Sequence, residues 1–267
     1  AVDGAYENFE FGEITRLLYS FVWNEFCDWY IEFSKARLNI GEDASAEQKA
    51  DRAICQNNLM FVLENILKIL QPIMPFVTED IYSRMFAKDS EFLMSQAWPQ
   101  PSDFDGMCDE TAKHSVEMLV AAISAARSSR ARYSISPKQA LPLFIKAEEA
   151  DLDLLRSQEY LIKSLANISE LEIGSDISKP AESVVSIDAG LEIYVVLAGF
   201  VDFELEKSKL SKKLADVEKD KLRLEKKLSN PGFLAKAKAE IIEKDKAKLE
   251  ELSASYNSIT EQIQDIS

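Results

Sequence analysis

The sequence predicts a mainly α protein: a helical bundle, then a small α/β unit, then a long antiparallel coiled-coil hairpin. Three observations in the 267 residues predict it. Broad apolar faces at helical spacing occupy the first half. Short β-rich runs bounded by turn residues follow Ser136-Pro137. Heptad-spaced apolar residues flank Ser229-Asn230-Pro231-Gly232-Phe233 in the last quarter. Hydrophobic content of 46% with 8 glycines and 8 prolines belongs to a folded chain rather than a disordered one.

Phe11 to Phe33 reads as a helix with Ile14, Leu17, Leu18, Phe21, Val22, Phe26, Trp29, Tyr30 and Phe33 on a broad apolar face. Trp23, Trp29 and Phe33 match that face and are expected in the core rather than as base-stacking platforms. Gly41 to Ser45 is a polar break, and Ser45 with Gln48 has the spacing of a capping box. The helix that follows, to Leu70, is apolar nearly all round after Leu59, which predicts a central position in the bundle. Pro72 and Pro75 end it, and Pro75 is placed to begin a third helix running through Met85. Ala87 to Gly106 reads as a connection carrying Trp98-Pro99, and a fourth helix spans Glu110 to Arg132. Leu141–Ile145 and Leu171–Ile173 then read as strands flanking a helix from Asp151 to Leu165. Val184–Ile187 and Leu191–Leu197 form a hairpin across Asp188-Ala189-Gly190, and Ala198-Gly199-Phe200-Val201 leads out. The expected domains are 1–135, the bundle, lacking its first helices; 136–202, the α/β unit; and 203–267, the arm.

In the arm, apolar residues fall at Leu210, Leu214, Val217, Leu224 and Leu228. They return at Leu249, Leu252, Tyr256, Ile259, Ile263 and Ile266. Alternating gaps of three and four keep one seam on one side of a helix. Proline and glycine between the runs reverse the chain, so the two seams can close on each other. A first helix of ~25 residues would reach roughly 38 Å at 1.5 Å per residue. That is too long for one globular domain to bury, so the segment is expected to be an arm that touches something.

Charge bounds what it touches. The chain holds 31 basic against 46 acidic side chains, a formal net charge of -15. Such a balance excludes nucleic-acid binding over the whole surface. Residues 204–267 nevertheless hold 14 basic and 13 acidic side chains, and Lys207–Lys227 holds 9 against 4, or +5. A basic rod on an acidic body favours phosphate contact at the rod. Charged residues that merely solvate a coiled coil would leave the same composition.

Cys27, Cys55 and Cys108 are odd in number and widely spaced, which reads as reduced, buried thiols of a cytosolic protein rather than disulfides or a zinc site. No apolar run is long enough to span a bilayer and no signal peptide is visible. Ala1 is not a start methionine, and the chain is expected to be an excised piece of a longer protein. No catalytic residue is assigned: His114 is the sole histidine, there is no glycine-rich phosphate loop, and no metal site or cofactor is expected in this part. Arg127, Arg130 and Arg132 are the densest positive group of the bundle. Arginine forks match phosphate oxygens, though cations near a helix C-terminus also complement its dipole.

Three stretches resemble the valyl-tRNA synthetase family, in its C-terminal portion. "NFEFGEITRLLYSFVWNEFCDWYIEFSK" (Asn8 to Lys35) is similar to a helix of the family's anticodon-binding domain, with a Trp-Asn-x-Phe-Cys-Asp-Trp-Tyr core. "LENILKILQPIMPFVTEDIY" (Leu63 to Tyr82) resembles a Pro-x-x-Pro-Phe-x-x-Glu segment shared with the leucyl and isoleucyl enzymes. "KLSNPGFLAKAKAEIIEKDKAKLEEL" (Lys227 to Leu252) resembles the hairpin of the valine enzyme's coiled coil. The likeness runs in order through "ISAARSSRARYSISPKQALPLFI" (Ile123 to Ile145). It departs at Gln71, Tyr82 and Pro137-Lys138-Gln139, where relatives often carry histidine, tryptophan and Pro-Gly-Lys. An isoleucyl enzyme would carry a C-terminal cysteine cluster that this sequence lacks.

The resemblance implies an anticodon-binding helical bundle and a coiled coil against the outer corner of tRNA. It implies valine tRNA as partner, with no DNA and no membrane, a monomeric parent and a cytoplasmic location. The parent would be a valine–tRNA ligase using ATP and Mg to join valine to its tRNA. Its His-x-Gly-His and Lys-Met-Ser-Lys-Ser type signatures are absent here, so this part is not expected to be active alone. The implied tRNA contacts on the bundle are Arg127, Arg130 and Arg132. Charge nominates Lys209, Lys212, Lys213, Arg223, Lys226, Lys227, Lys236 and Lys238 on the arm. The alternative is a coiled-coil protein-interaction scaffold with no RNA role.

Overall fold

The computed structural model describes residues 1–86, 92–230 and 239–265. The chain divides into two compact units, Ala1–Val116 and Glu117–Ser267.

The first unit is helical. A short helix α1 (Val2–Glu7) precedes α2 (Phe11–Tyr19), which continues without a break into α3 (Ile31–Leu38) through a stretch wound as a π-helix, Ser20–Tyr30. A capping box then opens α4 (Ala46–Leu70): Gln48 N donates to Ser45 Oγ at 3.2 Å, and Ser45 N donates to Gln48 Oε1 at 2.9 Å. Pro75 stands in the first turn of α5 (Pro75–Met85) as expected, its missing N–H costing no helical bond there. Two 3-10 turns, Leu93–Ser95 and Pro101–Phe104, lie in the connection to α6 (Glu110–Arg132). Trp98 ties that connection back to α1: its Nε1 donates to Asp3 Oδ1 at 2.9 Å, and Tyr6 meets its ring edge-on at 5.3 Å.

Apolar packing in this unit is thin. One cluster joins Ala5, Ile14 and Leu18 to Leu17, Ile69 and Ile73, and a second joins Leu67, Tyr82 and Leu93. The expected central burial of α4 beyond Leu59 is only partial: Ile66 and Leu67 are buried, while Phe61 is exposed. Trp23 corrects the expectation that it packs in the core. It is 55% exposed and lies parallel to Tyr19, the ring centroids 6.1 Å apart and the planes 9° from each other. Trp23 is nine residues from the fully buried Ile14, about 180° round at 100° per residue, so its own spacing already puts it off the buried stripe. Trp29 and Phe33 are half-buried and in contact at 5.7 Å. The thiols also differ from one another: Cys55 is buried, Cys27 intermediate, and Cys108 exposed beside Glu110, contrary to the buried-thiol reading.

The second unit takes α6 from Glu117 onward, the α/β layer and the arm. Strands β1 (Leu141–Lys146), β2 (Ile168–Gly174), β3 (Ser183–Asp188) and β4 (Leu191–Val196) form one sheet in the order β2-β1-β4-β3. β1 and β2 are parallel, which requires a crossover, supplied by α7 (Glu149–Ser157) and α8 (Glu159–Ala166). The single helix expected over Asp151–Leu165 is therefore two, broken at Gln158, whose φ of -111° and ψ of 12° leave the helical region. β3 and β4 pair antiparallel across Ala189-Gly190, both with positive φ (48° and 76°), the backbone a two-residue I′ hairpin requires. Leu141, Leu143, Ile145, Leu191, Ile193 and Val195 alternate inward along β1 and β4 to make the core. α6 meets this unit with Ala121, Ala122, Ala125 and Ala126, all buried.

Asp202 caps the next helix, α9 (Phe203–Leu228), its carboxylate accepting from Leu205 N at 2.9 Å. The return helix is α10 (Ala239–Asp265), and the two pair as the hairpin the heptads predict. Pro231, Gly232, Phe233 and Ile266, named for the turn and the seam, lie outside the described residues.

Candidate nucleic-acid interface

The arm sorts its charges by side. On α9 the seam runs through Leu210, Leu214, Val217, Leu224 and Leu228, each buried or half-buried. The gap in the apolar spacing is occupied by Lys221, half-buried, with Nζ 5.1 Å from the centre of the Tyr256 ring. At the roughly 100° per residue of an α-helix, Lys212, Lys219 and Lys226 point away from the seam, one every seven residues. That places a cation about every 10.5 Å along the rod. Lys209, Lys213, Arg223 and Lys227 lie on the neighbouring flank, and all seven are exposed. Glu204, Glu218 and Glu225 fall on the opposite flank. Asp216 and Asp220 stand among the cations of the first flank and Lys207 among the glutamates of the other, so the two sides differ in net charge, positive on one and negative on the other, rather than in sign residue by residue.

These cations differ in what already holds them. Lys209 Nζ lies 3.4 Å from Glu206, within its own helix. Lys227 Nζ reaches across the hairpin to Asp245 Oδ2 at 2.6 Å. Asp245 stands at a seam position of α10, its side chain 17% exposed. The contact is charge against charge, because Oδ2 receives no well-directed hydrogen bond. Among the described residues, Lys212, Lys213, Lys219, Arg223 and Lys226 form no ion pair, although Asp216 and Asp220 stand within a turn of them on the same side. Lys219 was not nominated by charge counting, yet its heptad position puts it midway between Lys212 and Lys226. Lys236 and Lys238 lie outside the described residues.

The arginine cluster of α6 is drawn inward instead. Arg130 is 6% exposed, and its Nη2 donates to the carbonyls of Asn167 at 2.8 Å and Gln139 at 3.2 Å. Arg127, one turn earlier, donates from Nη2 to Leu165 O at 3.1 Å. Leu165 and Asn167 sit at the C-terminal end of α8, where unpaired carbonyls carry the negative end of the helix dipole. Asn167 adopts the left-handed conformation there (φ 50°) and its side-chain amide donates to Pro137 O at 2.8 Å. Burial, and then the nearby Arg127 charge, pull the Arg130 pKa below its ordinary value. Arg132 is exposed, its guanidinium 5.4 Å from the centre of the Tyr133 ring. Of the three, Arg130 is committed to holding α6 on the α/β layer, while Arg127 and Arg132 present charge at the surface.

Two family profiles match this chain. Residues 1–145 match the anticodon-binding domain of tRNA ligases, and residues 202–267 match the valyl tRNA synthetase tRNA binding arm. The chain belongs to the valyl-tRNA synthetase family. Relatives named valine–tRNA ligase are 33% identical over 261 residues in Staphylococcus carnosus, 37% over 247 in Syntrophotalea carbinolica and 36% over 244 in Geobacillus stearothermophilus. These alignments cover 97%, 92% and 91% of this chain but only 29%, 27% and 27% of those proteins. The chain thus spans less than a third of the length of the curated relatives it matches.

The valyl-tRNA synthetase arm profile begins at residue 202, where the Asp202 cap starts α9. The basic flank therefore lies wholly within the family's arm. The family's anticodon-binding profile contains the whole first unit, α6 and β1 as far as Ile145. His114 lies exposed on α6. No described helix is long and apolar enough to cross a membrane.

Proposed function

We propose that this chain binds tRNA as part of a valine–tRNA ligase, with the basic flank of α9 laid against RNA phosphates. The parent enzyme joins valine to its tRNA using ATP and Mg, in segments beyond this chain, as a cytoplasmic monomer. The helical unit serves the anticodon end, the arm serves the corner of the tRNA, and the α/β layer joins them. The observation that carries the reading is the net positive side formed by Lys212, Lys213, Lys219, Arg223 and Lys226, which outnumber Asp216 and Asp220 there, on a helix whose other flank is net acidic. Such a rod offers phosphate contacts along one line and repels RNA elsewhere, which favours shape and backbone recognition over sequence readout. Arg127 and Arg132 add exposed cations on the last turns of α6.

The test is a fluorescence titration with valine tRNA and a non-cognate tRNA across a salt series. Lys212→Glu, Lys219→Glu and Lys226→Glu together should weaken binding and flatten the salt dependence. With about 0.9 counterions released per duplex phosphate contact, loss of these contacts lowers the slope of log K against log salt by roughly 2–3. An affinity and slope equal to the parent's would remove the arm from the RNA interface. Preference for valine tRNA that survives the triple change would assign that preference to the helical unit.

A further inference from the structure

Lys227 is set apart from the other cations on the basic side of α9 by what it touches. Its Nζ lies 2.6 Å from Asp245 Oδ2 on the return helix α10. Lys209, by comparison, meets Glu206 of its own helix at 3.4 Å. Asp245 stands in the seam between Ile242 and Leu249, both half-buried, and its own side chain is 17% exposed. The Oδ2 atom is closed to water and takes no well-directed hydrogen bond. The ammonium of Lys227 is therefore what compensates a carboxylate taken out of water. Removing one partner of such a pair is disfavoured, because the other charge is left with neither water nor a counter-charge.

Position turns the pair into a competitor of RNA. Lys227 directly follows Lys226, and at 100° per residue it shares a flank with Lys209, Lys213 and Arg223. Its side chain remains 42% exposed while its Nζ rests on Asp245. A phosphate line along that side passes within reach of Lys227, so phosphate and Asp245 call on the same ammonium. We infer that Asp245 is an electrostatic brake on the arm, which withholds Lys227 from RNA phosphate and so lowers the affinity of the arm for RNA backbone. The inference rests on the reading of α9 as the RNA-contacting side of the arm. Phosphate contacts carry no sequence information directly. A contact held back here weakens the hold on every tRNA alike and leaves a larger share of binding to the helical unit.

Asp245→Asn keeps the shape of the side chain and removes its charge. In a titration of the 267-residue chain with valine tRNA it should tighten binding roughly fivefold at about 0.15 M salt and steepen log K against log salt by about 0.9, the contribution of one further phosphate contact. Asp245→Leu, which also removes the buried polar group, should do the same, so a fold defect peculiar to asparagine does not decide the outcome. In a Lys227→Ala background the gain should shrink to less than about twofold. An equal gain with and without Lys227 would overturn the inference, because Asp245 would then act by repelling RNA directly. No gain in either variant would also overturn it and leave the pair a register device. Acetylation of lysines read by mass spectrometry locates the contact: tRNA should shield Lys226 in the unsubstituted chain, and both Lys226 and Lys227 in Asp245→Asn. Shielding of both in the unsubstituted chain removes the brake while the RNA reading stands. Absence of binding and of shielding throughout removes the RNA reading, and the brake with it.

Discussion

Arg130 and Glu192 show how single charged residues act here as structural groups. Arg130 gives its guanidinium to two main-chain carbonyls from a nearly closed site. Arg130→Ala leaves the Asn167 and Gln139 carbonyls unsatisfied, and hydrogen bonds to a charged group contribute about 1.5–3 kcal/mol each way of counting. The expected result is a loss of about 2–3 kcal/mol in urea unfolding of the second unit, with RNA affinity of the folded variant unchanged. Arg132→Ala, at an exposed position, should leave the same unfolding curve in place. On β4, Glu192 accepts from Lys146 Nζ at 2.7 Å and from the Tyr194 hydroxyl at 2.6 Å. The Lys146 bond, then the Tyr194 bond, hold its carboxyl below the ordinary glutamate value of 4.5. A lowered folded pKa means stabilisation that is present above the unfolded value and is lost as pH falls through the folded one. Stability of the second unit should therefore decline in acid below about pH 4.5, and Glu192→Gln should make that decline shallower in denaturant titrations run at successive pH values.

At the scale of the element, the arm carries two polar interruptions in an apolar seam. Lys221 rests on Tyr256 and Asp245 pairs with Lys227. Polar seam residues cost stability and specify register in coiled coils, because a slipped or swapped pairing would leave them without partners. Asp245→Leu should raise the thermal midpoint of the arm, whereas Lys227→Ala should lower its stability by about 1 kcal/mol, since the pair is partly exposed. Circular dichroism melts separate the two directions. Lys221→Leu with Asp245→Leu should in addition permit pairing between chains, seen as a larger species in sedimentation. The same pair bears on RNA contact: Lys227 is part of the basic flank, but its charge is shared with Asp245, so its removal should cost less tRNA affinity than removal of Lys226.

For the whole molecule, the two units differ in how they are built. The second has a sheet whose inward side chains on β1 and β4 are almost wholly buried, with helices that add Met118, Ile123, Leu155 and Ile162. The first has two small clusters and many open aromatic groups. With hydrophobic burial as the main favourable contribution to folding, the first unit should open at lower denaturant than the second. Hydrogen exchange under native conditions should show α4 and α5 exchanging ahead of β1 and β4, and a single cooperative transition common to all amides would contradict this.

Much of this was legible in the residues. Periodicity determined the helices, since an amphipathic repeat has one geometry that buries it, and Ser45 with Gln48 marked a helix start down to its reciprocal hydrogen bonds. Heptads in two runs determined the paired helices of the arm, and its family followed from residue order. The expectation misplaced Trp23, because an apolar ring was assigned to the core although a 3.6-residue count from Ile14 puts it on the far side of the helix. Charge counting nominated Arg130 alongside Arg127 and Arg132, but only the fold brings the end of α8 under α6 and turns Arg130 into a buried brace. Along the arm, composition reported a surplus of lysine. Which lysines remain unpaired depends on the hairpin partner across the seam, as the Lys227–Asp245 contact shows, and so on tertiary structure: a charge is available to a ligand only where the fold has not already neutralised it.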